Sequence, residues 1–134
     1  MRYFHDLYTQ FNLGEKWSGI AGFDIGAQQS AKGSEQYHVW YTPNLLLRYA
    51  ITDRTKIAGR AEYFNDEKGV IIGTNTQNGF RTFGYSLNVD HEIHKNLLLR
   101  TEARGFSSKD AIFMKDNMAK SDNFFITTSL SAWF

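Results

Sequence analysis

The chain has 134 residues, a formal charge of +1, 16% aromatic residues, one proline and no cysteine. That length allows a single domain, and the near-zero charge gives no general attraction to nucleic acid. The missing cysteines exclude disulfides, thiolate metal sites and cysteine nucleophiles together. No run approaches the ~18 consecutive apolar residues of a transmembrane helix. The mean hydropathy is negative, but a membrane strand alternates faces and dilutes its own signal.

A period of two runs through almost the whole chain. Residues 2–13 show it weakly, with Leu7, Thr9, Phe11 and Leu13 alternating with Asp6, Tyr8, Gln10 and Asn12. Trp17, Gly19, Ala21, Phe23 and Ile25 form one face of a second predicted strand, with Ser18, Gly22 and Asp24 opposite. The longest stretch, 37–51, sets Tyr37, Val39, Tyr41, Leu45, Leu47 and Tyr49 against His38, Thr42, Asn44 and Arg48. Ile57, Ala61 and Tyr63 then oppose Lys56, Arg60 and Glu62, and Phe83, Tyr85, Leu87 and Val89 oppose Ser86, Asn88 and Asp90. Leu97, Leu99, Thr101 and Ala103 oppose Arg100, Glu102 and Arg104. The last strand sets Phe124, Ile126, Thr128, Leu130, Ala132 and Phe134 against Phe125, Thr127, Ser129, Ser131 and Trp133. The pattern predicts seven strands and no helix.

The connections alternate in length. Residues 14–16, 52–54 and 92–96 are short, whereas 28–36, 66–79 and 107–122 are long and polar. Tight turns on one side and long loops on the other are the habit of outer-membrane barrels. On this reading the chain starts near the external end of a descending strand, so further strands and a secretory signal are expected before residue 1. The Gly- and Asn-rich stretch Gly69–Gly79 is expected to be a loop with a small hairpin of its own. A phosphate-binding loop would need a following helix there.

Alternation alone does not separate a soluble barrel from a membrane barrel, but the placement of charge favours the membrane barrel. Lysines sit at 16, 32, 68, 95, 109, 115 and 120, in turns and loops, with Lys56 near a strand end. The mid-strand cations are arginines, whose planar fork suits an enclosed polar wall with carboxylates on adjacent strands. The apolar faces carry no charge in their middle stretches, where a cation at the bilayer midplane would cost about 2–4 kcal/mol. Tyr37, Tyr41, Tyr63, Phe83, Phe124 and Phe134 lie towards strand ends on the apolar face, as in an interfacial aromatic girdle.

The C-terminal segment, with Phe124, Ile126, Leu130 and Phe134 at alternating positions, resembles the terminal strand that the barrel-assembly machinery reads. Trp40-Tyr41-Thr42-Pro43-Asn44, Arg60-Ala61-Glu62-Tyr63-Phe64, Gly69-Val70-Ile71-Ile72, Asn78-Gly79-Phe80, Phe83-Gly84-Tyr85-Ser86-Leu87-Asn88 and Phe106-Ser107-Ser108-Lys109-Asp110 follow in that order. Together they resemble the C-terminal part of the OmpL-like outer-membrane β-barrel porin family, over most of residues 37–134. The resemblance implies a barrel of more strands than these seven, in the outer membrane of a Gram-negative bacterium.

The expected architecture is therefore all-β: one domain, 1–134, forming part of an antiparallel up-and-down transmembrane β-barrel. Its expected role is passive passage of small hydrophilic solutes or ions. Outer-membrane lipid and the assembly machinery are the expected partners, with no nucleic acid, cofactor or metal. Arg48, Arg60, Glu62, Asp90, Arg100, Glu102 and Arg104 are the candidate pore-lining residues, because rings of side-chain charge set the field that a passing solute meets. They could instead pair across strands and stabilise the wall. His91 and His94 flank a turn, and His5 and His38 stand apart, without converging ligand spacing. Asp110, Asp116, Asn117, Asp122 and Asn123 do not fit an EF-hand spacing. Thr128, Ser129 and Ser131 have no neighbouring base to activate them, so no enzyme is expected. Two alternatives stand: a filled-lumen barrel presenting its external loops, and a soluble lipocalin-like binder.

Overall fold

The computed structural model describes residues 1–134. Seven long strands form one antiparallel sheet in chain order: β1 (Arg2–Leu13), β2 (Trp17–Gln29), β3 (Tyr37–Ala50), β4 (Thr55–Asp66), β5 (Phe80–His94), β6 (Leu97–Ser108) and β9 (Asp122–Ala132). Two short strands, β7 (Phe113–Lys115) and β8 (Met118–Lys120), pair with each other in the last long loop. The seven strands match those read from the sequence, and the weakly patterned 2–13 is a full strand. The expected hairpin in 69–79 is not there. It lies instead between Phe113 and Lys120, where Asp116 and Asn117 both take positive φ and close a two-residue turn. The sheet is open: β1 and β9 are its two edges.

Each of the seven long strands is long enough to cross the apolar zone of a bilayer, which takes ~9–11 tilted residues. Short turns follow β1, β3 and β5 at one end of the sheet, and longer loops follow β2, β4 and β6 at the other. The turns are tied by neighbouring backbone: Ala50 N–H donates to Lys16 O, and Glu92 N–H to Arg54 O. Pro43 sits mid-strand in β3. The ladder to β4 skips residues 42 and 43, between Tyr41↔Asn65 and Asn44↔Glu62, where proline has no N–H to give.

Directly opposed residues share a face, so the register sorts every side chain. Strand β5 shows the outcome most plainly. Phe83, Tyr85, Leu87 and Val89 are 40–53% exposed, while Thr82 and Ser86, on the other face, are 3% and 9% exposed. A water-soluble sheet does the reverse. Leu7, Trp17, Phe23, Leu45, Leu47, Ile126 and Leu130 extend the exposed apolar face across the sheet. Its only charged strand residues are Arg81 and Asp122, both at the loop end.

Glycines on one strand receive aromatic rings from the next. Phe11 lies over Gly19, Trp40 over Gly26 and Tyr85 over Gly105, each pair directly opposed in register. Such cover restores packing that a strand glycine lacks. Trp17 and Tyr49 mark the turn end of the apolar face with ring centroids 4.8 Å apart. Tyr41 stacks between Phe23 and Tyr63 nearer the loop end.

This inside-out distribution predicts how the two faces of β3 meet solvent. Single cysteine substitutions at Leu45 and Leu47, carrying an environment-sensitive probe in reconstituted lipid, should report hydrocarbon. Probes at Asn44 and Arg48 should report water. The opposite pattern would overturn the assignment of the faces.

Candidate functional site: the charged wall and its loop cover

Strand alternation places all seven expected charges, Arg48, Arg60, Glu62, Asp90, Arg100, Glu102 and Arg104, on the face opposite the apolar one. Arg2, Asp6, Asp24, Lys56, Asp66 and Glu92 join them there. The wall thus holds cations and anions in near balance.

Two arrangements organise its middle. Asp90 and Arg100 are directly opposed on β5 and β6, and form a two-pronged pair: Nε donates to Oδ1 at 2.7 Å and Nη2 to Oδ2 at 2.5 Å. Two parallel bonds of this kind add geometric specificity to the attraction. Asn88 also donates to Asp90, at 3.0 Å. The second arrangement reaches over a strand. Arg104 on β6 crosses β5 and bonds Glu62 on β4, while Arg60 Nη1 stands 3.9 Å from the other Glu62 oxygen. Gly84 makes that reach possible, because a Cβ there would lie 2.7 Å from Glu62 Oε1. Arg48 forms no ion pair; it lines an open concavity of about 480 Å³ with Gln10, Asn12 and Ser18. Glu102 forms no ion pair either. Asp6 and Asp24 stand directly opposite each other on β1 and β2.

Above these charges, towards the loop end, the same face turns aromatic. Phe64 meets Phe80 edge-on with centroids 5.4 Å apart, and Phe106 lies between Phe113 and Phe125 at 6.0 and 6.2 Å. The Arg104 guanidinium sits 4.9 Å over the Phe106 ring, in cation–π range. Loop residues come down onto these rings. Ile72 shares a niche with Phe64, Phe80 and Phe106, and Ile112 and Phe113 share a second concavity with Ile72 and Phe80. The sequence reading missed this cluster. Its signal was parity: Phe64 follows Arg60 and Glu62 on the charged face of β4, as Phe106 follows Arg104 on β6.

The loop over the wall has a built anchor. Asp66, fully buried at the end of β4, accepts the backbone N–H groups of Val70, Ile71 and Ile72 at 2.7–2.8 Å. Gly79 closes the same loop against Glu67 O, where a Cβ would come within 2.2 Å, at a φ of +61°. The two long loops are latched together by Asp110, which accepts Asn78 N–H at 2.8 Å and Asn78 Nδ2 at 2.7 Å. Those bonds hold the Asp110 carboxyl below the usual carboxylate range. Lys68, together with Arg81, does the same for Glu67. Of the histidines, His91 shares a 3.0 Å hydrogen bond with Thr55 at the turn end. Phe124, Ile126 and Leu130 line the apolar face of β9, and Phe134 is fully exposed beyond its end.

A strongly built antiparallel sheet that exposes its apolar side chains and gathers its charges on the opposite face is the wall of a transmembrane β-barrel. The chain belongs to the family described as "Putative beta-barrel porin-2, OmpL-like", which it matches over residues 1–134. The resemblance seen in the sequence over residues 37–134 therefore extends through β1 and β2 as well. Membership carries a porin-like outer-membrane role in general terms. Comparison with curated proteins and with solved structures gave no match.

Two outcomes follow for the loops. Replacing Asp66 with Asn removes the acceptor that serves Ile71 and Ile72, so exchange of those amides should accelerate about 100-fold, given ~1.5–3 kcal/mol per bond to a charged group. Unchanged exchange would refute the anchor. The Asp110 latch has a depressed carboxyl, so its contribution is complete above the ordinary aspartate range near pH ~3.9 and fades as pH falls through the lower folded-state value. Asn78 amide protection should therefore persist through pH ~4 and disappear only on further acidification. Loss of protection already at pH 5–6 would contradict it.

Proposed function

We propose that the protein forms an outer-membrane pore through which small hydrophilic solutes or ions diffuse, with Arg48, Arg60, Glu62, Asp90, Arg100, Glu102 and Arg104 on its lumen wall. The observation that carries this reading is the segregation of mid-strand charge onto one face of a sheet whose other face is exposed and apolar. A lumen filled with water repays the hydration of those groups, whereas lipid does not. The activity is transport rather than catalysis, in keeping with the porin family. We also assign Phe124, Ile126, Leu130 and Phe134 to recognition by the barrel-assembly machinery, on their alternation along β9 and the exposure of Phe134.

One observation favours a second reading. The loops after β4 and β6 lie over the upper part of the charged face, which suits a filled lumen presenting its outer loops to partners.

Single-channel recording in a planar bilayer separates the two. The pore reading expects discrete conductance steps, and their absence would leave the filled barrel. Glu62→Gln removes the one anion between Arg60 and Arg104, so under a salt gradient its reversal potential should move towards anion selectivity. An unmoved reversal potential would take Glu62 off the lumen wall.

A further inference from the structure

Across β1, β2 and β3 the charged face holds the open hollow of about 480 Å³, and Arg48 is the one charged residue in its lining. The register explains that lining. Asn12, Ser18 and Arg48 stand in one row across the three strands, and Gln10, Ile20 and Leu46 stand in the next row towards the loops. A row of hydrogen-bonding side chains therefore adjoins an apolar pair, Ile20 directly opposite Leu46.

Arg48 differs from the other arginines of the middle wall. Arg100 is engaged by Asp90, Arg104 by Glu62, and Arg60 stands 3.9 Å from Glu62. Arg48 is exposed and makes neither an ion pair nor a side-chain hydrogen bond within the protein, and the side chains of Gln10, Asn12 and Ser18 make no such bond either. The carboxylates of this face are distant or already held. Asp6 and Asp24 lie level with Thr42, six residues up β3 from Arg48, which is ~20 Å at the rise of a strand. Asp90 is bonded at both oxygens by Arg100, and Glu62 is bonded by Arg104. Glu102 is level with Arg48 but three strands away on β6, ~14 Å at the usual strand spacing, and Glu92 stands nearer the turn end of β5. Glu15, in the turn below, has Lys16 beside it in the adjoining hollow that both share with Arg48. Lys56 and Arg60 flank Ala58, the residue directly opposite Arg48, and add positive charge from β4. An anion entering the hollow thus meets a guanidinium that has no partner to give up.

We propose that this hollow is a binding subsite for small organic carboxylates. The two carboxylate oxygens match the planar fork of Arg48, and the Ser18 hydroxyl and the Asn12 and Gln10 amides supply further donors. The carbon chain leaves the carboxylate on the side away from the guanidinium and lies on Ile20 and Leu46. The proposal rests on the charged face lining the lumen, and it gives that wall a preferred class of solute.

Saturation-transfer NMR on the full chain in detergent micelles, with empty micelles subtracted, tests it with butyrate, acetate and butylammonium as probes. Inorganic phosphate is followed by its phosphorus line width. Butyrate should bind most tightly, acetate and phosphate more weakly, and butylammonium not at all. Arg48→Gln removes the charge at an exposed, unpaired position, so the fold should stay while butyrate affinity falls about tenfold. Arg48→Lys should recover only part of that loss, because it restores the charge without the fork. Leu46→Ser should bring butyrate down to the level of acetate. Butylammonium binding as well as butyrate, phosphate binding in place of butyrate, or full butyrate affinity in Arg48→Gln would each overturn the subsite. Micelle binding needs no open pore. Butyrate binding without bilayer conductance would therefore remove the pore and keep the hollow, and conductance without butyrate binding would do the reverse.

Discussion

A peptide group in hydrocarbon has no water to fall back on, and each N–H or C=O left without a partner costs several kcal/mol. That constraint orders everything else in this protein. It is met here by the strand ladder: 71 of the 83 backbone hydrogen bonds lie within the strands. Strands of 11–15 residues carry the ladder across the apolar zone. Once the backbone is committed to strands, covalent geometry does the next step unaided, because successive side chains point to opposite faces. One face must then satisfy lipid, and the other receives every group that lipid refuses. The interruption at Pro43 shows how little slack the ladder has, since the missing donor costs it two consecutive rungs.

On the second face, polarity is organised rather than merely tolerated. Arginine occupies the middle of the wall and lysine the loops, and the structure shows what arginine adds. Its fork takes both Asp90 oxygens at once on Arg100, and on Arg104 it bonds Glu62 while covering Phe106. A lysine ammonium would manage neither geometry. Small residues make room for these long side chains. Gly84 and Ser86 on β5 lie buried under groups reaching between β4 and β6, which is why polar residues are the covered ones here.

The strands and their faces were legible from residue types alone because a period of two is local and repeats. Alternation in 37–51 and 83–90 was enough to place Leu45, Leu47, Tyr85 and Leu87 together and Arg48 and Asp90 opposite. What the pattern could not carry was anything decided between distant segments. The reach of Arg104 to Glu62 depends on a 42-residue separation closing in space. The descent of Ile72 and Phe113 onto the wall depends on Asp66 and Asp110, two loop-end carboxylates indistinguishable in sequence from solvated ones. The hairpin at 113–120 was missed for a different reason. Its strands are only three residues long, too short to show a period, and its signal lay in the Asp116-Asn117 pair, both residues that tolerate positive φ.

The near balance of charge on the wall determines the range over which it can act. A surface of one sign attracts counter-ions from afar and quickens their capture. Here neighbouring opposite charges form short dipoles, Asp90 with Arg100 and Glu62 with Arg60 and Arg104, whose fields largely cancel at a distance. Beyond the ~8 Å screening length of physiological salt little would remain. If the wall lines a pore, as proposed, a solute would therefore not be drawn to it from bulk solution. In that role it would be read only on contact, where a single guanidinium, carboxylate or ring is the nearest neighbour, and discrimination would fall to shape and local pairing rather than to long-range steering.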